Sequence, residues 1–352
     1  MAGGYRPPYS GMRRVANWLA LGPSSGTMSS LRQVLESSAA SHQRGEKSTL
    51  AVVVATEGST YVQPGAMALF GAEQGQVGWL SGGCLEPEIE LRARAAAAQV
   101  RIEWMDIDTR DDEDLIGGSA LGCRGRLRLA LLPLAAMPGW PALVTAWQKG
   151  HTSLRLSVSL DGAVLAQVEA ASASWRIASA STDQAPDAAT QWQIEVPASP
   201  AVLVFGAGPE TPTLLPLLRS LGWRTTLVER RARWQAETAH ADTRVDANPD
   251  TALTAMAHAH FTAALVMNHN FEMDREALDA LANSAIPFIG LLGPTRRRED
   301  LFRVLPKPAH EVLLPRLHSP IGLKLGGHGP EAIALSIAAQ LQAFRFGENG
   351  GA

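Results

Sequence analysis

Ala201-Val-Leu-Val-Phe205-Gly206-Ala-Gly208-Pro209 is the stretch on which the reading of the fold turns. Five consecutive apolar residues without polar alternation are the pattern of a strand buried on both faces, as in a parallel sheet. The run stops at a glycine turn. A helix is predicted from about 210 to 221, with Gly222 as its stop, and a second strand covers 224–228 and ends at Glu229. Strand, glycine turn, helix, strand, and an acid about 20 residues on make a Rossmann-type unit. In such a unit Gly206 and Gly208 would let the backbone approach a phosphate at the helix N-terminus, and Glu229 would meet a ribose. The third position of the G-x-G-x-x-G pattern is Thr211, where Gly or Ala is usual. Arg230 beside Glu229 leaves the choice between NAD and NADP open.

The same period continues downstream. A strand at 263–267 carries Asn268-His269-Asn270 at its end, and a helix is predicted over 274–283. A strand at 287–292 ends in Gly293-Pro294, followed by Thr295 and Arg296-Arg297-Arg298. Ligands of open α/β sheets bind at the carboxyl ends of the strands. Gly206, Gly208, Pro209, His269, Arg296 and Arg297 all fall at such ends, and Thr295 could cap the next helix. Together they suit a phosphate. The competing reading is a solvated arginine turn and a hydrogen-bonded structural histidine. A glycine-rich loop before the last helix (331–344) could close over the crevice.

The first half reads differently. Residues 50–56 form a β-branched buried-strand run, followed by Glu57-Gly-Ser-Thr60 and Gln63-Pro-Gly65-Ala66. Strands are predicted at 66–70 and 77–80, joined by a hairpin loop. Then comes Ser81-Gly82-Gly83-Cys84-Leu-Glu86, opening a helix over 85–100. Paired glycines expose backbone N–H groups, and a helix N-terminus lowers a thiol pKa, so Cys84 is a candidate reactive thiolate beside an anionic ligand. The alternative is a small, inert, buried cysteine. A strand at 100–107 leads into an acidic stretch, 106–114, and then Gly117-Gly-Ser-Ala-Leu-Gly-Cys123-Arg124-Gly125. EF-hand spacing is absent, so the acids read as a solvated loop. A strand (126–132), a helix (138–149) and short strands over 152–197 follow, with Asp161-Gly162 as a hairpin turn.

The chain has 352 residues, 46% hydrophobic and 18% charged, with a net charge of −3. These values suit a globular protein and argue against nucleic acid. No apolar run reaches about 18 residues, which argues against a membrane span. Two cysteines without CxxC spacing make no disulfide framework, so a cytoplasmic location is expected. The expected architecture is α/β: a small N-terminal α+β domain and a C-terminal Rossmann-like, doubly wound parallel sheet. The expected divisions are an extension (1–27), a domain with both cysteine loops (28–135), a connecting segment (136–198), the Rossmann-like domain (199–345) and a tail (346–352).

These segments together resemble the XdhC/CoxI family, accessory factors of xanthine dehydrogenase and related molybdenum hydroxylases. The resemblance rests on Thr56-Glu57-Gly58-Ser59-Thr60, Pro64-Gly65-Ala66, Ser81 to Glu86, Leu121-Gly122-Cys123, Phe205 to Pro209, Leu221-Gly222-Trp223, Ile289 to Pro294 with Arg296 to Arg298, and Pro320-Ile321-Gly322-Leu323. It implies binding of the molybdenum cofactor, mono- or dinucleotide, help with its sulfuration, and delivery to an apo molybdenum hydroxylase. It also implies a homodimer, with a cysteine desulfurase as a further candidate partner. Under it, Cys84 and Cys123 are the working thiols, with Cys84 the candidate molybdenum contact. Glu57, Gly65, Ser81, Gly82, Gly83, Glu86 and Arg124 would line the cofactor, joined by the Rossmann residues above. The family's second cysteine loop usually reads Gly-Leu-Gly-Cys-Gly-Gly; Ala120 and Arg124 depart from it, and Lys324 stands where an acid is frequent. The rival function is an NAD(P)-dependent oxidoreductase using Gly206, Gly208 and Glu229, with His269 for proton transfer. A third is a regulatory binding module without chemistry.

Overall fold

The computed structural model describes residues 30–72, 75–108, 125–179 and 191–347. Its first element, α1 (Leu31–Gln43), starts on Ser30, whose side chain accepts the Gln33 N–H. Strands β1 (Thr49–Gly58), β2 (Met67–Ala72) and β3 (Gly75–Val77) follow, then α2 (Glu86–Gln99), β4 (Glu103–Asp108) and β5 (Gly125–Pro133). The five strands form one sheet in the order β3-β2-β1-β5-β4, every neighbouring pair antiparallel. β1 lies in the middle, which is why its apolar run does not alternate. Ala51 and Val53 pack on one face against Ile89, Ala93 and Ala96 of α2. Leu50, Val52 and Val54 pack on the other against Val34 and Leu35 of α1.

The second hairpin strand spans 75–77, not 77–80, because Gly78 turns away at a φ of 92°. A Cβ on Gly78 would lie 2.8 Å from the Met67 carbonyl oxygen, so the chain leaves the ladder there. Similarly β4 starts at Glu103, since Val100 caps α2 in the left-handed region.

Next come α3 (Trp140–Lys149) and a four-stranded antiparallel sheet of β6 (Leu154–Ser159), β7 (Ala163–Val168), β8 (Ala171–Arg176) and β9 (Gln191–Val196), in the order β8-β7-β6-β9, with β9 returning to pair with β6. Their apolar faces join the α1 side of the first sheet in one core, with Trp140 and Trp147 fully buried.

The C-terminal half holds β10 (Ala201–Phe205), α4 (Thr211–Ser220), β11 (Arg224–Val228), β12 (Thr243–Val245), α5 (Pro249–Ala255), β13 (Ala263–Val266), α6 (Phe271–Ala282), β14 (Ile289–Leu291), α7 (Thr295–Val304), α8 (Lys307–Leu313), β15 (Leu317–His318) and α9 (Pro330–Phe346). The sheet order is β12-β11-β10-β13-β14-β15, parallel throughout. Helices α4 and α9 cover one face, and α5, α6, α7 and α8 the other. This is the doubly wound arrangement, with its switch point between β10 and β13. α6 begins three residues before the sequence suggests, because Asn270 caps it by accepting the Met273 N–H.

The two halves meet at the amino ends of the parallel strands. Arg32 of α1 donates to Asp242 through both terminal nitrogens, at 2.9 and 2.7 Å, and to the Trp223 carbonyl. Arg219 reaches Glu36 and Asp242. Burial works to raise the Asp242 carboxyl pKa, but the Arg32 hydrogen bonds, the Thr225 N–H and the two guanidinium charges hold it below the usual value. The carboxyl ends, where ligands bind in this fold, are at the opposite edge of the sheet.

Candidate functional site

The first candidate site is the Cys84 loop. Glu86, 4% exposed, turns back from the first turn of α2 and accepts the Leu80 N–H at 3.0 Å and the Ser81 N–H at 2.8 Å through one oxygen. Its other oxygen takes the Ser81 hydroxyl. That hydroxyl in turn accepts the Gly83 N–H at 3.2 Å and the Leu85 N–H at 3.1 Å, and lies 3.6 Å from Cys84 Sγ. Ser81 and Glu86 are therefore the loop's scaffold, both buried, while Gly82, Gly83 and Cys84 are exposed above them. The Ser-x-x-x-x-Glu spacing makes this possible: the helix start places Glu86 beneath the turn that precedes it.

Sheet topology places more of the predicted residues at the same end. β1 ends, β2 begins, β3 ends and β5 begins on one edge of the five-stranded sheet. Glu57 is exposed there, on the register position opposite Arg126. Gly125 lies so close to the turn after β1 that a Cβ on it would be 2.5 Å from the Ser59 carbonyl. Gly65, at a φ of 95°, packs toward Ile194 of β9. Cys123 and Arg124 lie outside the described residues.

The second candidate site is the switch point, and its amides are spoken for. Gly206 N–H donates to the Val228 carbonyl at 3.0 Å, Ala207 N–H to Glu229 Oε2 at 2.7 Å, and Gly208 N–H to Thr211 Oγ1 at 2.9 Å. Thr211, the departure at the third glycine position, thus satisfies the amide of the second. Glu229 is 2% exposed, and its other oxygen accepts from the Arg231 N–H and Nε. Arg231 continues to the Asn268 carbonyl at 2.6 Å and the Ala207 carbonyl at 2.8 Å. Burial alone would raise the Glu229 carboxyl pKa; the Arg231 hydrogen bonds, the Ala207 and Arg231 amides and the Arg231 charge bring it below normal.

The glycines serve close packing. A Cβ on Gly206 would lie 2.5 Å from Asn268 Cα, and one on Gly208 would lie 2.7 Å from His269 Nε2 and 2.8 Å from Glu210 Oε1. His269 adopts a φ of 53°, a left-handed conformation uncommon outside glycine. Its ring meets Glu210, 1% exposed, at 2.9 Å. The hydrogen bond to Glu210 raises the His269 pKa, burial working against it. Glu210 sits at the N-terminus of α4, where a bound phosphate would stand in a dinucleotide site. Pro209 is exposed beside it.

The arginine run divides three ways. Arg297 donates to Asp274 Oδ2 from Nε at 3.0 Å and from Nη2 at 2.5 Å; Asp274 Oδ1 accepts both Asn268 nitrogens at 3.1 Å. Arg298 donates to the Ser319 carbonyl. Only Arg296 of the three projects into solvent, 90% exposed, 3.9 Å from Asp300. α7 is capped by Pro294 without a side-chain bond, and Thr295 is its first residue. The glycine loop after β15 is fastened to α9, with Leu323 N–H on the Ser336 carbonyl and Gly322 N–H on Gln340. No motif singles out Glu210, Arg231, Asn268 or Asp274. The carboxylate directly after Gly-Pro and the arginine two residues past the strand-end acid are the signals the sequence holds for them.

Two family models match: residues 202–341 that of the XdhC Rossmann domain, and residues 41–105 that of the XdhC and CoxI family. The chain belongs to the XdhC and CoxI family. Members of this family serve xanthine dehydrogenases in an accessory role, and the comparisons support that role here. A Bacillus subtilis (strain 168) protein, by name a probable subunit of xanthine dehydrogenase, is 27% identical over 320 residues, 84% of this chain and 92% of the relative. An uncharacterized Escherichia coli (strain K12) protein, YqeB, is 40% identical over 70 residues, 19% of this chain and 13% of its own. A crystal structure described as a xanthine dehydrogenase from Bacillus halodurans has the same fold, with a TM-score of 0.68 at 24% identity over 89% of this chain and 94% of that one. Both XdhC segments carry a candidate site: the Cys84 loop lies in the first, and the switch point in the second. Among the described residues no helix is long and apolar enough to cross a membrane.

Proposed function

We propose that this protein is an accessory factor that binds molybdenum cofactor, supports its sulfuration and delivers it to a xanthine dehydrogenase-type molybdenum hydroxylase. The observation that carries this reading is the exposed Cys84 thiol on a loop shaped from beneath by buried Ser81 and Glu86. The loop has room for a ligand: a Cβ on Gly82 would meet nothing within 4 Å, and one on Gly83 would meet only the Trp79 ring, at 3.8 Å. Trp79, 38% exposed, offers an indole face to a planar ring. A soft sulfur ligand with an aromatic face fits a pterin-borne metal.

The cofactor would supply the metal centre that the client enzyme needs. This chain's own residues hold and release it. Cys84 provides the soft sulfur contact, Ser81 and Glu86 fix the loop, and Glu57 offers an acceptor to ring N–H groups. Cys123 and Arg124 are further contacts in this reading, with a cysteine desulfurase as sulfur source and a second copy of the chain as partner. The NAD(P) oxidoreductase reading is disfavoured, because the turn amides and Glu229 that would hold a dinucleotide already have partners within the protein.

The test is to purify wild type and Cys84→Ser from cells that make the cofactor, and to measure retained molybdenum and pterin. Cys84→Ser should retain less of both while its stability changes by no more than about 1 kcal/mol. Cofactor-loaded wild type should activate an apo molybdenum hydroxylase in trans. Normal retention in the variant removes the thiol from the site. NAD(P)H turnover by the protein alone, without activation of the apo-enzyme, would replace the carrier by an oxidoreductase.

A further inference from the structure

A cavity of about 540 Å³ opens between α3 and the amino ends of β10, β11 and β12, at the edge of the parallel sheet opposite the switch point. Its charged lining is unbalanced. Both acids, Glu36 and Asp242, are paired with Arg32 and Arg219. Arg224 is not paired: its Nη1 donates only to the Gln148 carbonyl, and its buried Nε has no hydrogen-bond partner. A buried donor without a partner costs free energy and calls for a missing acceptor. Burial, with the nearby charge of Arg32, pushes the guanidinium pKa down, and Asp242 only partly offsets this.

Two imidazoles stand at the mouth. His151, two residues past α3, and His260, three residues before β13, lie in ring contact, centroids 3.9 Å apart and planes tilted by 36°. They come from different halves of the chain. Lys149 and His258 line the same cavity, and among the described residues no carboxylate is within salt-bridge distance of any of these four. A guanidinium, an ammonium and imidazoles converging from both halves match a tetrahedral dianion, which has an acceptor for each. The volume exceeds what bare phosphate needs and lies in the range of small-molecule sites. Phe261 and Met256 supply an apolar wall.

We propose that this cavity binds a phosphate monoester of nucleotide size, with Arg224 and the His151–His260 pair as the phosphate donors. The proposal is independent of the molybdenum reading, since it concerns other residues at the other edge of the sheet. It is tested by calorimetric titration with inorganic phosphate, AMP and adenosine. Wild type should bind AMP saturably and phosphate more weakly, and should ignore adenosine. Arg224→Gln should raise the AMP dissociation constant at least tenfold, and so should the double variant His151→Asn/His260→Asn. Thermal unfolding without ligand shows whether each variant is folded; if Arg224→Gln is not, the exposed histidine pair decides. Absence of AMP and phosphate binding, adenosine binding as tight as AMP, or equal affinity in wild type and folded variants would each overturn the proposal.

Discussion

The Ala207 backbone N–H donates to Glu229 Oε2 at 2.7 Å. This bond ties the glycine turn after β10 to the acid after β11. Those are the two features by which a dinucleotide site is recognised, and here they satisfy each other. Arg231 closes the arrangement by binding the same carboxylate and the carbonyls of Ala207 and Asn268.

Glu229→Gln should therefore act on stability. The amide can still accept the Ala207 N–H, but Arg231 loses its counter-charge in a mostly buried position. Breaking such a pair should cost about 2–4 kcal/mol in urea denaturation. The folded pKa of Glu229 lies below its ordinary value of 4.5. Its contribution is thus complete above that value and is lost as pH falls through the folded pKa. Wild type should lose more stability on acidification than Glu229→Gln. Parallel acid titrations of the two proteins would refute the assignment.

The His269–Glu210 pair has the opposite sign. The folded pKa of His269 is raised above 6.5, so its contribution is complete below that value and fades as pH rises through the folded pKa. Glu210→Gln should bring the His269 titration, followed by NMR of the ring protons, back toward the ordinary value. An unchanged titration would mean that Glu210 is not the cause.

Alanine at the two glycines should separate backbone from side-chain crowding. At Gly206 the new Cβ meets Asn268 Cα at 2.5 Å, on a φ of 88° that alanine avoids. At Gly208 it meets the ends of His269 and Glu210. Gly206→Ala should be the more destabilising, by more than about 2 kcal/mol, whereas Gly208→Ala should cost about 1–3 kcal/mol. Gly208→Ala should also lower the His269 pKa by forcing the pair apart. Equal effects at both positions would contradict the geometry.

Asp242→Ala should leave the buried Arg32 without its bidentate partner and with Glu36 as its remaining carboxylate, costing about 2–4 kcal/mol, less than a fully uncompensated buried charge. Since this contact joins the halves, calorimetry should show the variant unfolding over a broader range than wild type, or in two steps. A sharp, unshifted transition would show that the contact adds nothing to the union.

Much of this molecule is legible in the chain. The apolar run 201–205, the stop at Gly222 and the strand-end acid point to the parallel sheet, because fully buried strands and tight turns leave local marks. The Cys84 loop is visible because paired glycines precede a helix start. What the amides of 206–208 bind is not visible. Their partners, Val228, Glu229 and Thr211, are brought in by sheet pairing and helix docking, and only the last is local. Arg297 reads as a phosphate contact or a solvated cation, since nothing in Arg-Arg-Arg reveals that Asp274, 23 residues earlier, lies beneath the middle one. Arg224 looks like an ordinary strand start, and its unpartnered Nε arises only once α3 closes over it.

The Arg32 contact spans 191 residues to Trp223 and 210 to Asp242, whereas the covalent passage between the halves is the short piece 197–200. What holds the halves together is thus largely separate from what links them in sequence. A chain severed at the exposed Pro197 would leave two fragments that each keep one face of the contact. Co-expressed, they should associate into a noncovalent whole, as a complementing split protein does. The order in which the halves are encoded is then a matter of gene arrangement more than of architecture.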